Sequence, residues 1–227
     1  MREARLSKTP EGRLQLKAEY YALLRKRAAE RDGIDPMAKY DHATKAGVPY
    51  DAISTLKGKP DDTDALRAAE RFCNDGAART LVLLGDKGVG KTVAAAHVVV
   101  RVCENWQWNN QATGQDTRPV YWVEGPTLTR ISSFADADKE QIALYRGCRL
   151  LVLEELGRET TKHGVDLVTE ILIHRHEHKR RTVVTSNQGW DAFRERYGAA
   201  VADRFKSHGI IPNLATNKSQ RTRRVGT

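Results

Sequence analysis

The sequence predicts an α/β fold, a parallel sheet with helices on both faces. Three observations carry that expectation. Gly85-Asp86-Lys87-Gly88-Val89-Gly90-Lys91-Thr92 matches the phosphate-binding pattern G-x-x-x-x-G-K-[ST], between a short apolar run and an Ala- and Val-rich stretch. Leu150-Leu151-Val152-Leu153 is wholly aliphatic, as a strand covered on both faces should be, and ends in Glu154-Glu155. Strand-like and helix-like segments alternate from residue 80 onward, the order of a parallel sheet.

The elements follow in chain order. Thr9-Pro10-Glu11 reads as a helix start, and Leu14, Ala18, Tyr21, Leu24 and Ala28 recur at three- and four-residue spacing up to Asp32-Gly33. That predicts an amphipathic helix of about 20 residues. Such a helix has too little apolar area to stand alone. It packs on the core, on a second copy or on a partner. Ala46 to Tyr50 reads as a turn and residues 57–63 as a polar loop. Thr63 or Asp62 caps a helix over 64–74, closed by Asp75-Gly76. Strand 80–84 leads into the loop above and a helix over 92–106. A polar loop over 109–118 precedes strand 119–124. Gly125-Pro126 turns the chain into a helix near 128–134. A short helix lies within 136–146, then strand 149–153, a helix over 164–179 and the β-branched strand 182–186. Helices over 190–197 and 199–205 precede a short strand at 210–211. Residues 1–45 form a helical extension, 46–216 the core, and 217–227 a basic tail.

Composition narrows the partners. The chain has 227 residues and a formal charge of +9, from 38 basic and 29 acidic side chains. The excess lies late: residues 174–227 hold 12 Lys or Arg against 4 Asp or Glu, whereas 1–75 hold 15 against 13. A basic C-terminal quarter fits a polyanion, above all nucleic acid. The plainer reading is a solvated surface. Cys73, Cys103 and Cys148 lack metal-site or redox spacing, which fits a reduced, cytoplasmic setting. No apolar run approaches a membrane span.

The chemistry concentrates at strand ends. Backbone N–H groups of Gly85 through Val93 cradle phosphate oxygens, helped by the partial positive charge of a helix N-terminus. Lys91 reaches the β- and γ-phosphates of ATP, and the Thr92 hydroxyl ligates Mg²⁺. Glu154 is placed to join the Mg²⁺ shell and Glu155 to polarise an attacking water. The plainer reading of that pair is two solvated glutamates at a strand end. Asn187, after Thr185-Ser186, is placed to orient water near the γ-phosphate; alone, Ser-Asn is only a turn signal. His174 and His178 share a helix face, but no carboxylate or cysteine motif supports a metal site there. Trp106, Trp108 and Trp122 read as core or rim packing before base stacking.

Taken together, these motifs resemble the AAA+ ATPases of the DnaC/IstB group, the helicase loaders and transposition helpers. The resemblance spans roughly residues 46 to 212. It includes the Ala46-Gly47-Val48-Pro49 turn, Pro119-Val120-Tyr121-Trp122 as second strand, Leu156-Gly157 after the acid pair, Ile171 to His176 before the Thr-Ser-Asn strand, and Ala202-Asp203-Arg204-Phe205. It implies Walker B places for Glu154 and Glu155, a sensor place for Asn187, and an arginine-finger place for Arg204, offered to ATP on a neighbouring subunit of a homo-oligomer. It also implies a core without the helical lid of larger AAA+ proteins. Glu154 departs from the pattern, which has Asp there, and a slower hydrolysis is expected. The implied role is a DnaC-like helicase loader that assembles with ATP on DNA, single-stranded by preference, and recruits a replicative helicase through its N-terminal helices. An IstB-like helper on duplex DNA, recruiting a transposase, is the nearest alternative; an ATP-binding scaffold without turnover comes next, and a small-molecule kinase last. Candidate DNA contacts are Arg158 and Lys162 after the acid pair, Lys179, Arg180 and Arg181 at a helix end, and Lys218, Arg221, Arg223 and Arg224 in the tail.

Overall fold

Five parallel strands lie in the order β2-β3-β4-β1-β5 in the computed structural model, which describes residues 37–58, 60–104, 120–131 and 135–214. The strands are β1 (Thr80–Leu84), β2 (Val120–Glu124), β3 (Leu150–Leu156), β4 (Arg181–Ser186) and β5 (Gly209–Ile210). Among the described residues the helices are α1 (Ala38–Lys45), α2 (Tyr50–Lys57), α3 (Asp64–Asn74), α4 (Lys91–Cys103), α5 (Gly125–Leu128), α6 (Asp136–Gly147), α7 (Lys162–Glu177), α8 (Trp190–Tyr197) and α9 (Ala199–His208). The predicted N-terminal helix, the tail, Trp106 and Trp108 fall outside the described residues.

The period of two along each strand divides the core. Leu81 and Leu83 of β1, Val152 of β3 and Val183 of β4 face a layer built by α1 to α4. Val82 and Leu84, Leu151 and Leu153, and Val184 face the layer of α6 to α9. Both faces of the central strands are therefore covered, which is why β1 and β3 read as largely aliphatic runs and β4 as a β-branched one. Thr63 caps α3, its hydroxyl accepting from the Leu66 N–H at 3.1 Å. Thr161 does the same for α7 at Gly164.

Some expectations are corrected. Of the helix expected near 128–134, residues 132–134 lie outside the described residues; the described part is a single turn, Gly125–Leu128, because Pro126 is suited to the first helical turn. Strand β3 runs on to Leu156, through and beyond the acid pair. Helix α1 lies within the expected helical extension and α2 was not expected; both are short and carry few apolar positions. They form because Ala43, Ala52 and Ile53 are buried in the layer with α4. Helix α1, expected within the extension, thus packs as part of the core. The Ala46-Gly47 turn covers the sheet edge, where the Ala46 carbonyl accepts from the Trp122 N–H at 3.1 Å.

Candidate functional site

The strand order places three strand ends side by side. β4 lies between β1 and β3, so the loop after β1, Asn187 after β4 and the acid pair on β3 meet at one sheet edge. Ligands of open α/β sheets bind at this carboxyl edge. A cleft of about 280 Å³ opens there, lined by Lys87, Gly88, Gly90 to Val93, Glu155 and Asn187.

The loop's path requires glycine. Gly88 and Gly90 sit at φ 89° and 90°, a left-handed conformation that side chains with a Cβ disfavour. A Cβ on Gly90 would also come within 3.1 Å of the Thr63 hydroxyl. The turn ends at Lys91, the first residue of α4, so the N–H groups of the first helical turn point towards the cleft without intrahelical partners. Lys91 is nearly buried. Its ammonium donates to the carbonyls of Gly85 and Asp86, both at 2.7 Å, and to Asn187 Oδ1 at 3.0 Å. The loop lysine and the strand-end amide, 96 residues apart, are thus one cluster.

The two glutamates have different surroundings. Glu154 is buried beneath the cleft. Burial pushes its carboxyl above the usual range, while hydrogen bonding from the Thr92 side chain and the Trp122 indole opposes the shift. Trp122 Nε1 donates to Glu154 Oε2 at 2.8 Å. Glu155 faces the cleft with φ 53°, in the left-handed region. Its N–H donates to Thr185 Oγ1 at 3.0 Å, and its carboxylate is paired with Arg158. A non-glycine residue held at that φ is strained backbone of the kind that clusters at functional sites. Thr92 and Glu154 together offer hard oxygen donors, the type that suits Mg²⁺. Among the described residues no cluster of three or more His, Cys, Asp or Glu could hold a metal on its own. His174 and His178 stack on each other at 4.1 Å instead.

The remaining predicted residues lie apart from this cleft. Arg204 pairs with Glu177, the last residue of α7, at 3.3 Å. Helix α9 ends where the His208 carbonyl accepts from Arg79, just before β1. Arg204 therefore lies towards the sheet's amino edge, away from its own P-loop. Arg158 is exposed but bound to Glu155, and Lys162 opens α7 at the carboxyl edge. Lys179 and Arg180 are exposed. Arg181 instead stacks on the Phe72 ring, 3.9 Å from its centroid, and donates to the Phe72 carbonyl. Its guanidinium is half-buried structure rather than a free surface cation. The four tail cations, Lys218, Arg221, Arg223 and Arg224, lie outside the described residues.

Solved structures share this architecture. Crystal structures titled DnaI and DnaC helicase loader superpose with TM-scores of 0.52 and 0.50, at 23% and 17% identity, covering 71% and 68% of this chain and 86% and 93% of theirs. The replication initiator DnaA bound to AMPPCP and single-stranded DNA gives a TM-score of 0.52 at 11% identity, covering 68% of this chain but only 46% of its own. The chain shares the fold of these structures. No family model matches the sequence, and no curated protein matches it.

The far wall of the cleft was not legible in the sequence. Thr55, Pro60, Asp61 and Leu66, from α2, the following loop and α3, face the P-loop across it. Their pattern is ordinary, and only the packing of α2 brings them there. A second missed group stands behind Glu155. The Glu159 carboxylate is fully buried and accepts from Gly157 N–H, from the Tyr197 hydroxyl at 2.7 Å and from Arg196 Nε at 3.1 Å. It ties the end of β3 to α8. The only sequence signal was an acid four residues past the pair.

Proposed function

We propose that this protein is a DnaC-like helicase loader, an ATPase that assembles with ATP on DNA and recruits a replicative helicase. The observation that carries the reading is the meeting of Lys91, Asn187, Thr92, Glu154 and Glu155 at one sheet edge, on a fold shared with DnaI and DnaC. The N–H groups of the P-loop and of the first turn of α4 hold the phosphates. Lys91 exchanges its carbonyl partners for phosphate oxygens, with Asn187 keeping its ammonium aimed into the cleft. Thr92 and Glu154 would hold Mg²⁺, which when bound neutralises charge on the phosphates. Glu155 orients the attacking water and takes its proton once its carboxylate is released from Arg158. Arg204, remote from its own cleft, completes the site of the next subunit. That arrangement makes assembly and turnover interdependent. Arg158, Lys162, Lys179 and Arg180 serve DNA phosphates.

One experiment tests the reading. Wild-type protein and the Lys91→Ala variant are compared for ATP binding and for phosphate release with single-stranded DNA. Binding weakened at least ~100-fold in the variant, with DNA-stimulated turnover in the wild type, is the expected result. Unchanged affinity refutes the site. Capture of the partner with a Glu155→Gln variant locked on ATP then identifies the role: a replicative helicase supports the loader, whereas a transposase replaces it with the IstB-like reading.

A further inference from the structure

We infer that Trp122 is a positioning residue for Glu154, the indole fixing a carboxylate that would otherwise be one methylene too long for its place in the metal site. The inference rests on the metal-dependent nucleotide site proposed above. Strand β2 pairs with β3 so that Trp122 lies opposite Val152 and Glu124 opposite Glu154. Trp122 and Glu154 are thus diagonal neighbours on one face of the sheet, a separation that a long aromatic side chain can bridge. The indole does bridge it, with Nε1 donating to Oε2 at 2.8 Å.

The physical need comes from the extra torsion. Aspartate at a strand end has little freedom, whereas glutamate adds a rotatable bond and a longer arc for its carboxylate. Glu154 is buried, so water does not supply the missing restraint. A carboxylate offers about four lone-pair sites. The indole takes one of them and leaves the rest for Thr92, which hydrogen-bonds the same group, and for a divalent cation. Indole N–H is a donor only, so it cannot compete as a ligand for that cation. The tryptophan is itself braced. Its backbone N–H is held by the Ala46 carbonyl at 3.1 Å, and its Cβ lies 3.4 Å from where a side chain on Gly47 would begin. The turn at the sheet edge therefore acts on the metal site through one side chain.

A double-mutant cycle tests this. The measured quantity is the Mg²⁺ or Mn²⁺ concentration that half-saturates metal-dependent binding of a fluorescent ATP analogue, beside affinity for the same analogue in EDTA. Trp122→Phe in the wild-type background raises that concentration ~10- to 100-fold, the usual cost of losing an outer partner of a metal ligand. Affinity in EDTA stays within about twofold, which also reports that the variant is folded. Glu154→Asp draws the carboxylate back by about one bond length, ~1.5 Å, out of the indole's reach. In that background Trp122→Phe changes the metal requirement by less than about twofold. An equal effect in both backgrounds marks Trp122 as a packing residue and overturns the inference, as does no effect in either. A second measurement needs no tryptophan variant. The chain has four tryptophans, and the indole N–H resonance of one moves to a less hydrogen-bonded position in Glu154→Asp. No such movement overturns the inference while leaving the ATPase reading intact. Wild-type protein that binds nucleotide without any metal dependence refutes the proposed metal site itself.

Discussion

Replacing Glu159 with alanine should loosen the end of β3 and, with it, Glu155. The Glu159 side chain is fully enclosed and is the shared acceptor for Gly157 N–H, the Tyr197 hydroxyl and Arg196 Nε. Removing it leaves a void and takes the acceptor from the Tyr197 hydroxyl and Arg196 Nε, while Gly157 N–H keeps the Tyr197 hydroxyl oxygen at 2.7 Å. Breaking a buried charged pair by deleting one partner costs about 3–5 kcal/mol. The Arg196 side chain keeps 26% of its exposure and can turn to water, so the lower end, about 3 kcal/mol, is expected. For a domain of this size each kcal/mol moves the midpoint by about 2–4 °C, giving a loss of about 6–12 °C. Glu159→Gln keeps the shape and one acceptor, and should lose less than half as much. Thermal unfolding followed by circular dichroism reads both variants. A loss under about 1 kcal/mol for the alanine variant would show that the cluster is not a structural tie, and the argument from burial would be wrong. Turnover should fall more than ATP affinity in the same variant, because the cluster sits behind Glu155 and not beside the P-loop.

Four further outcomes are expected. Glu155→Gln should keep ATP affinity within a few fold while slowing phosphate release by ~10²- to 10⁴-fold. Mixing it with Arg204→Ala should restore part of the turnover, since one of the two hybrid interfaces combines an intact Glu155 with an intact Arg204 while the other has neither; no rescue in any ratio argues against a finger in trans. Cys103 and Cys148 should resist a thiol reagent at pH 8 until the protein is unfolded. Burial pushes the Cys103 thiol up to about 11 and also raises that of Cys148, so almost no thiolate is present. Rapid labelling of either under native conditions contradicts their packing. Lys179→Ala with Arg180→Ala should weaken DNA binding and reduce its salt dependence by up to about two counterions, whereas Arg181→Ala should chiefly lower stability by uncovering Phe72. Equal salt slopes for wild type and the double variant would remove Lys179 and Arg180 from the interface.

The resemblance to DnaC-type loaders was carried by short ordered motifs, and the fold is where it succeeded. Strands β1, β3 and β4 were legible because both faces are covered, so burial shows in the aliphatic runs of β1 and β3 and in the β-branched residues of β4. Helices α3 and α8 were legible because Thr63 and Trp190 stand at sharp changes from turn-forming to helical residues. Helices α1 and α2 were not, because their stability comes from contact with α4 and their own periodicity is weak. Gly88, Gly90 and Lys91 announced a phosphate cradle because backbone conformation and helix start are local properties. Which groups meet around that cradle is not local. Asn187 joins Lys91 only through the placement of β4 beside β1, and Trp122 joins Glu154 only through the register of β2 on β3. The far wall from Thr55 to Leu66 exists only because α2 and α3 fold over the loop. The strand–loop–helix chemistry and the covered sheet can thus be read from local residue order. Which distant side chains hold each other in place comes from the folded sheet, because hydrogen bonds between strands depend on register and no single segment contains it.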